Sequence, residues 1–108
     1  MFDQGTPVPL RRCLVEHEVA TAHERGWSKL NNGALIAAAE RAGFEVFVTT
    51  DQNLKYQQNL DARKIAIVVI LTTSWPRMQA GLQPVLAAIN SATPGTYVEV
   101  EVAAPGAR

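Results

Sequence analysis

The strongest pattern in the chain is an unbroken apolar run, Ile65-Ala66-Ile67-Val68-Val69-Ile70-Leu71. A β-branched run without polar alternation marks a strand covered on both faces, so Arg63 to Leu71 predicts an interior strand of a parallel sheet. Phe44 to Thr49 is a second apolar stretch of strand character. Tyr97 to Val102 sets Tyr97, Glu99 and Glu101 against Val98, Val100 and Val102, the period-two pattern of a half-exposed edge strand. Glu18 to His23 alternates more weakly and predicts a short strand. Met1-Phe2 reads as the end of a minimal first strand leading into Asp3.

Helical spacing fills the intervals. Leu35, Ala38, Ala39 and Ala42 fall on one stripe of a helix over Gly33 to Ala42, with Asn31 or Asn32 as its N-cap and Gly43 just past its end. Pro9 can open a short helix over Leu10 to Val15. Ser74-Trp75-Pro76 starts another, continued by Leu82, Val85, Leu86 and Ile89. Pro84 inside that pattern is expected to kink or split it. Gln52 to Asp61 predicts one or two helical turns around Tyr56 and Leu60. Strands alternating with helices imply right-handed crossovers and a mostly parallel sheet between helical layers. The expectation is an α/β three-layer α/β/α sandwich with about five strands, a single domain over 1–102 and a frayed tail over 103–108.

Composition narrows the class without choosing a function. The chain has 108 residues, 47% of them hydrophobic and 19% charged, which suits one compact globular domain. Ten basic and ten acidic residues cancel, which argues against avid sequence-independent binding to phosphate backbones. Arg11-Arg12, Arg25, Lys29, Lys55 and Arg63-Lys64 are spread along the chain, as solvated surface usually is. No apolar run is long enough to span a bilayer, and no secretory leader pattern opens the sequence. A lone cysteine, Cys13, forms no internal disulfide and fits a reducing, cytoplasmic setting. His17 and His23, six apart, match no zinc spacing. Trp27 and Trp75 read as packing anchors.

Candidate chemistry lies where strands end. In a parallel sheet, ligand sites form beyond the C-terminal ends of the strands. Asp3 follows the first expected strand and Asp51 the third, in Val-Phe-Val-Thr-Thr-Asp-Gln-Asn. If those strands are neighbours, two carboxylates share one edge, a donor type suited to Mg²⁺ or Mn²⁺. Each aspartate also has a purely structural reading, since an acid after a strand often closes a turn or caps a helix.

These residues resemble a known family. "FDQGTP" (2–7), "LNNGALIAAAERAGFEVFVTTDQNL" (30–54), "YQQNL" (56–60), "IAIVVIL" (65–71) and "SWP" (74–76) together resemble the small PIN-like domains of the PIN nuclease superfamily. The resemblance implies a three-layer α/β/α fold and cleavage of single-stranded RNA with Mg²⁺ or Mn²⁺ held by three or four acids. It also implies kinship with the toxins of bacterial toxin–antitoxin pairs. Asp3 and Asp51 fall on family acid positions and would bind metal and position water. Asn53 stands where a further acid is often found and is the expected third, weaker metal ligand. Ala34, in Asn32-Gly33-Ala34-Leu35, stands where the family pattern implies an acid, so the site is degenerate and its activity is expected to be low. Gln4, Lys55, Tyr56 and Gln57 are the expected substrate contacts, and a cognate antitoxin and a homodimer are the expected partners. The competing expectation is an inert PIN-like binding module that has lost its metal and acts through protein partners, with the Tyr97–Val102 edge pairing with a second copy or a peptide.

Overall fold

The fold is described from a computed structural model, which places residues 1–14, 17–54 and 63–102. Three strands form one sheet in the order β1 (Val46–Thr49), β2 (Ala66–Ile70), β3 (Tyr97–Val100), and every pairing is parallel. The register aligns Val48 with Val68 and Val68 with Val98. All five residues of β2 are buried, as its uninterrupted apolar run requires of a strand covered on both faces. Strand β3 lies at the sheet edge and keeps only Val100 buried.

The expected five strands shrink to three. Phe2 and Thr21 instead contribute one bridged residue each. Phe2 pairs in parallel with Val48 on one side and with Thr21 on the other, extending the sheet by single rows. Local hydrogen bonding limits both segments. The Asp3 carbonyl and carboxylate both accept the Thr6 amide, turning the chain directly after Phe2. Thr21 and Glu24 bond reciprocally: the Thr21 hydroxyl accepts the Glu24 N–H at 3.1 Å, and the Glu24 carboxylate accepts the Thr21 N–H at 3.0 Å. This Thr-x-x-Glu box starts a turn and overrides the weak alternation of Glu18 to His23. Gly26 completes the turn at φ +77°, a region that favours glycine.

Helix α1 (Asn32–Arg41) starts on Asn31, whose side chain accepts the Ala34 N–H, and ends before Gly43 at φ +87°. It buries Leu35, Ile36, Ala38 and Ala39. The expected stripe holds except at Ala42, which is the exposed C-cap. The segment opened by Pro9 is a 3₁₀ helix over Val8–Cys13. The long helical pattern after Ser74 breaks in two, giving α2 (Trp75–Ala80) and α3 (Leu82–Asn90). The break falls at Gly81, not at Pro84. Pro84 sits in the first turn of α3, where a missing N–H costs no helical bond. At Gly81 a Cβ would stand 3.0 Å from Cγ1 of Val102, so the chain after β3 passes close to the gap between the helices.

Two apolar clusters lie on the two faces of the sheet. Phe47, Ile67 and Val69 pack with Leu35, Ile36 and Ala39 of α1, and Trp27 joins at the margin. Val48, Val68, Ile70 and Val100 pack with Met78 of α2 and with Val85 and Ile89 of α3, joined by Trp75. Alternate side chains of each strand point to opposite faces, which is why neighbours such as Phe47 and Val48 enter different clusters. Both tryptophans therefore serve as packing groups. Among the described residues no helix is long and apolar enough to cross a membrane. The helical turns expected around Tyr56 and Leu60 and the tail over 103–108 lie outside the described residues.

Candidate functional site

Because all pairings are parallel, the residues that follow Phe2 and β1 emerge at one edge of the sheet. Asp3 leaves from the Phe2 row, with its N–H donating to the Val48 carbonyl at 3.1 Å. Its carboxylate is buried, with the residue 7% exposed. Oδ1 accepts the Thr6 amide at 3.1 Å and the Thr6 hydroxyl at 2.7 Å, and Oδ2 accepts the hydroxyl of Thr49. All of these donors are neutral. The ion pairs of the described residues, Arg11–Glu24 and Arg63–Glu40, do not include Asp3.

Asp51 follows two residues after Thr49. Its N–H donates to the Thr49 hydroxyl oxygen at 3.0 Å. Its Oδ1 accepts the Asn53 amide at 3.0 Å, an Asx turn, and its Oδ2 accepts Nδ2 of Asn32 at 2.6 Å. Asn32 is the first residue of α1, so Asp51 is tied to a helix N-terminus, where an anion is favoured. Asp3 and Asp51 thus leave the same edge of the sheet: Thr49 bonds the Asp3 carboxylate and the Asp51 backbone amide, while the Asp51 carboxylate turns to Asn32 and Asn53. Sequence patterning alone misses Thr6, Thr49 and Asn32. Thr49 carries a faint local signal, a hydroxyl two positions before an acid. Thr6 lies three residues after Asp3 and bonds it locally, whereas Asn32 reaches Asp51 only through folding.

The remaining expected residues divide three ways. Ala34 is exposed near the start of α1, with its N–H engaged by the Asn31 cap, and it offers the rim no oxygen. Gln4 lies beside Asp3, and its Nε2 donates to the Ser28 carbonyl. Lys55, Tyr56 and Gln57 lie outside the described residues.

For a divalent ion, the donor set falls short. A carboxylate has about four lone-pair positions, and three of those on Asp3 are filled by protein donors. Both oxygens of Asp51 are engaged as well. Among the described residues no group of three or more His, Cys, Asp or Glu side chains is placed to hold a metal. Two engaged carboxylates and an amide do not make a tight resident-ion site.

A pocket of about 190 Å³ opens next to Asp3. Asp3, Gln4, Thr6 and Val8 line one wall, and Thr21 with its neighbours Ala22 and His23 lines the other. The second wall is held firmly. The Arg11 guanidinium bonds the Glu24 carboxylate and, with the Thr21 amide, holds it below the usual carboxylate range. A larger crevice of about 650 Å³ lies along the starts of Phe2 and β1, bordered by His17, Arg25 and Asn90, and includes neither aspartate.

No family model, curated protein or solved structure matches this chain.

Proposed function

We propose that this chain is a PIN-like domain derived from metal-dependent ribonucleases, toxin-like in type, which engages single-stranded RNA at the Asp3–Asp51 rim and hydrolyses it weakly. The observation that carries this reading is that Asp3 and Asp51 follow adjacent parallel rows at one sheet edge, with Thr49 bonding the Asp3 carboxylate and the Asp51 backbone amide. That edge is where parallel α/β sheets place their ligands. Activity is low on this reading because Ala34 adds no carboxylate and the two that remain are engaged.

A second reading is favoured by the engagement of every Asp3 and Asp51 oxygen: an inert module that keeps the fold and acts through protein partners. One experiment separates the two. The full chain and its Ala34→Glu variant are titrated with Mn²⁺ while melting temperature and cleavage of a labelled single-stranded RNA are followed. The ribonuclease-derived reading expects a rise in melting temperature with Mn²⁺, since metal bound only to the native state stabilises it. It also expects cleavage to appear or grow in Ala34→Glu. If neither protein shifts at millimolar Mn²⁺ and neither cleaves or binds RNA, the inert module stands instead.

A further inference from the structure

We propose that the pocket beside Asp3 is a nucleobase subsite, which holds one unstacked base of a single-stranded RNA beside the Asp3–Asp51 rim. The inference rests on the RNA-directed reading of that rim and adds which part of the substrate is recognised and where.

The lining chemistry selects the ligand. Among the described residues no Lys or Arg side chain borders the pocket, and a buried carboxylate forms part of its wall, so it repels a phosphate. What it offers is hydrogen-bonding groups on Gln4, Thr21, His23 and Ser28, together with the apolar surface of Val8. Ala22 is fully buried and presents no surface to a ligand, and Val8 stands 56% exposed. A flat ring with apolar faces and a polar edge matches that combination. Bases of single-stranded RNA are read by such contacts with their faces and edges.

Size restricts it further. Pockets that enclose a drug-sized ligand start at about 300 Å³, so 190 Å³ takes a single ring system and excludes the attached phosphate. The phosphate must then sit outside the pocket.

The walls are also set in advance. The bond from Gln4 to the Ser28 carbonyl ties one wall to the other. The Ala22 N–H donates to the Phe2 carbonyl at 2.9 Å, which holds that second wall in the sheet. The Thr21–Glu24 box and the Arg11–Glu24 pair brace the turn that carries His23. A pocket organised before binding loses less freedom when it fills.

The test uses the full chain in EDTA, so that neither metal nor catalysis is needed. Adenosine, guanosine, cytidine, uridine and inorganic phosphate are titrated separately, with amide chemical shifts as the readout. The expected result is saturable shifts at residues 4–8 and 21–28 with at least one nucleoside and none there with phosphate. His23→Ala and Ser28→Leu, both at exposed positions, are expected to weaken that binding about tenfold, the loss of one base contact, with melting temperatures unchanged. Nucleoside binding without RNA cleavage supports the subsite even if the ribonuclease reading fails. RNA binding or cleavage that is indifferent to both substitutions, with no nucleoside shifts, overturns the subsite and leaves the ribonuclease reading standing. Phosphate shifting the same residues as strongly as a nucleoside overturns it too.

Discussion

The hydroxyl of Thr49 donates to Oδ2 of Asp3, across 46 positions of sequence, and its oxygen accepts the amide proton of Asp51. One side chain at the end of β1 therefore bonds the Asp3 carboxylate and the Asp51 backbone. Thr49→Val, which keeps the shape and removes the hydroxyl, would leave a buried carboxylate oxygen without its donor. The cost of such a group is about 1–3 kcal/mol. Thr49→Ser, which keeps the hydroxyl, is expected to retain most of the stability. Urea unfolding measures both, and a Thr49→Val protein as stable as its parent would show that the bridge contributes little.

Gly5 is required by space. A Cβ there would lie 2.7 Å from Oγ1 of Thr50 and 3.9 Å from Oδ1 of Asp3. Thr50 is buried and short, so it can relieve the clash only by changing rotamer. Gly5→Ala is expected to destabilise the fold by about 1–3 kcal/mol, as overpacking does. The double variant Gly5→Ala/Thr50→Ala should recover much of that loss, which a double-mutant cycle reads directly. Additive losses would place the strain elsewhere.

Glu40 at the end of α1 fastens the entry to β2. Its carboxylate accepts Nη1 of Arg63 at 2.9 Å, the Lys64 amide at 2.7 Å and the Ile65 amide at 3.3 Å. Burial alone would raise this carboxyl, but the bonds from the Lys64 amide, Arg63 and the Ile65 amide outweigh it and hold the carboxyl below its usual range. A carboxyl lowered on folding stabilises the native state above its unfolded value, about 4.3. That stability is lost as pH falls through the lower folded value. Glu40→Gln should therefore be less stable than the parent at neutral pH, with the gap closing under acid. Unfolding curves from about pH 7 to about pH 3, which bracket the unfolded value, decide it. A gap independent of pH would mean that the carboxylate charge is not what matters.

Ala34 occupies the third position of a helix whose cap is Asn31. A carboxylate there meets the positive end of the helix dipole, worth about 0.3–1 kcal/mol at low salt. Ala34→Glu is expected to raise the melting temperature in EDTA at low ionic strength and to lose that gain in high salt. A fall in low salt would show that repulsion from Asp51, bonded to Asn32 in the same first turn, dominates.

Much of the fold was legible before any coordinates. Ile65 to Leu71 read as a strand covered on both faces, realised over Ala66–Ile70, and Asn31 or Asn32, Leu35 and Gly43 marked the cap, stripe and stop of α1. The alternation at Tyr97 to Val102 marked an edge strand, which covers only Tyr97–Val100 and leaves Val98 exposed. Two expected strands failed at Phe2 and Thr21 because short-range side-chain bonds, Asp3 to Thr6 and Thr21 to Glu24, competed with weak alternation and won. The helix break was assigned to Pro84 when Gly81 carries it, because the close passage of Val102 has no trace near residue 81 in the sequence. At the rim, Asp3 and Asp51 were legible as residues placed after strands, whereas the neutral donors that occupy them were not.

Local pattern determined the α/β class, the parallel sense of the sheet and the caps of α1, because period, propensity and capping act over a few neighbouring residues. Tertiary structure alone decided that Phe2 would bridge Val48 and Thr21, that Thr49 would join two aspartates, and that Gln4 would meet Ser28 across a pocket. Those contacts depend on sheet order and chain reversal, which bring distant residues within hydrogen-bonding range and leave no periodic mark along the chain.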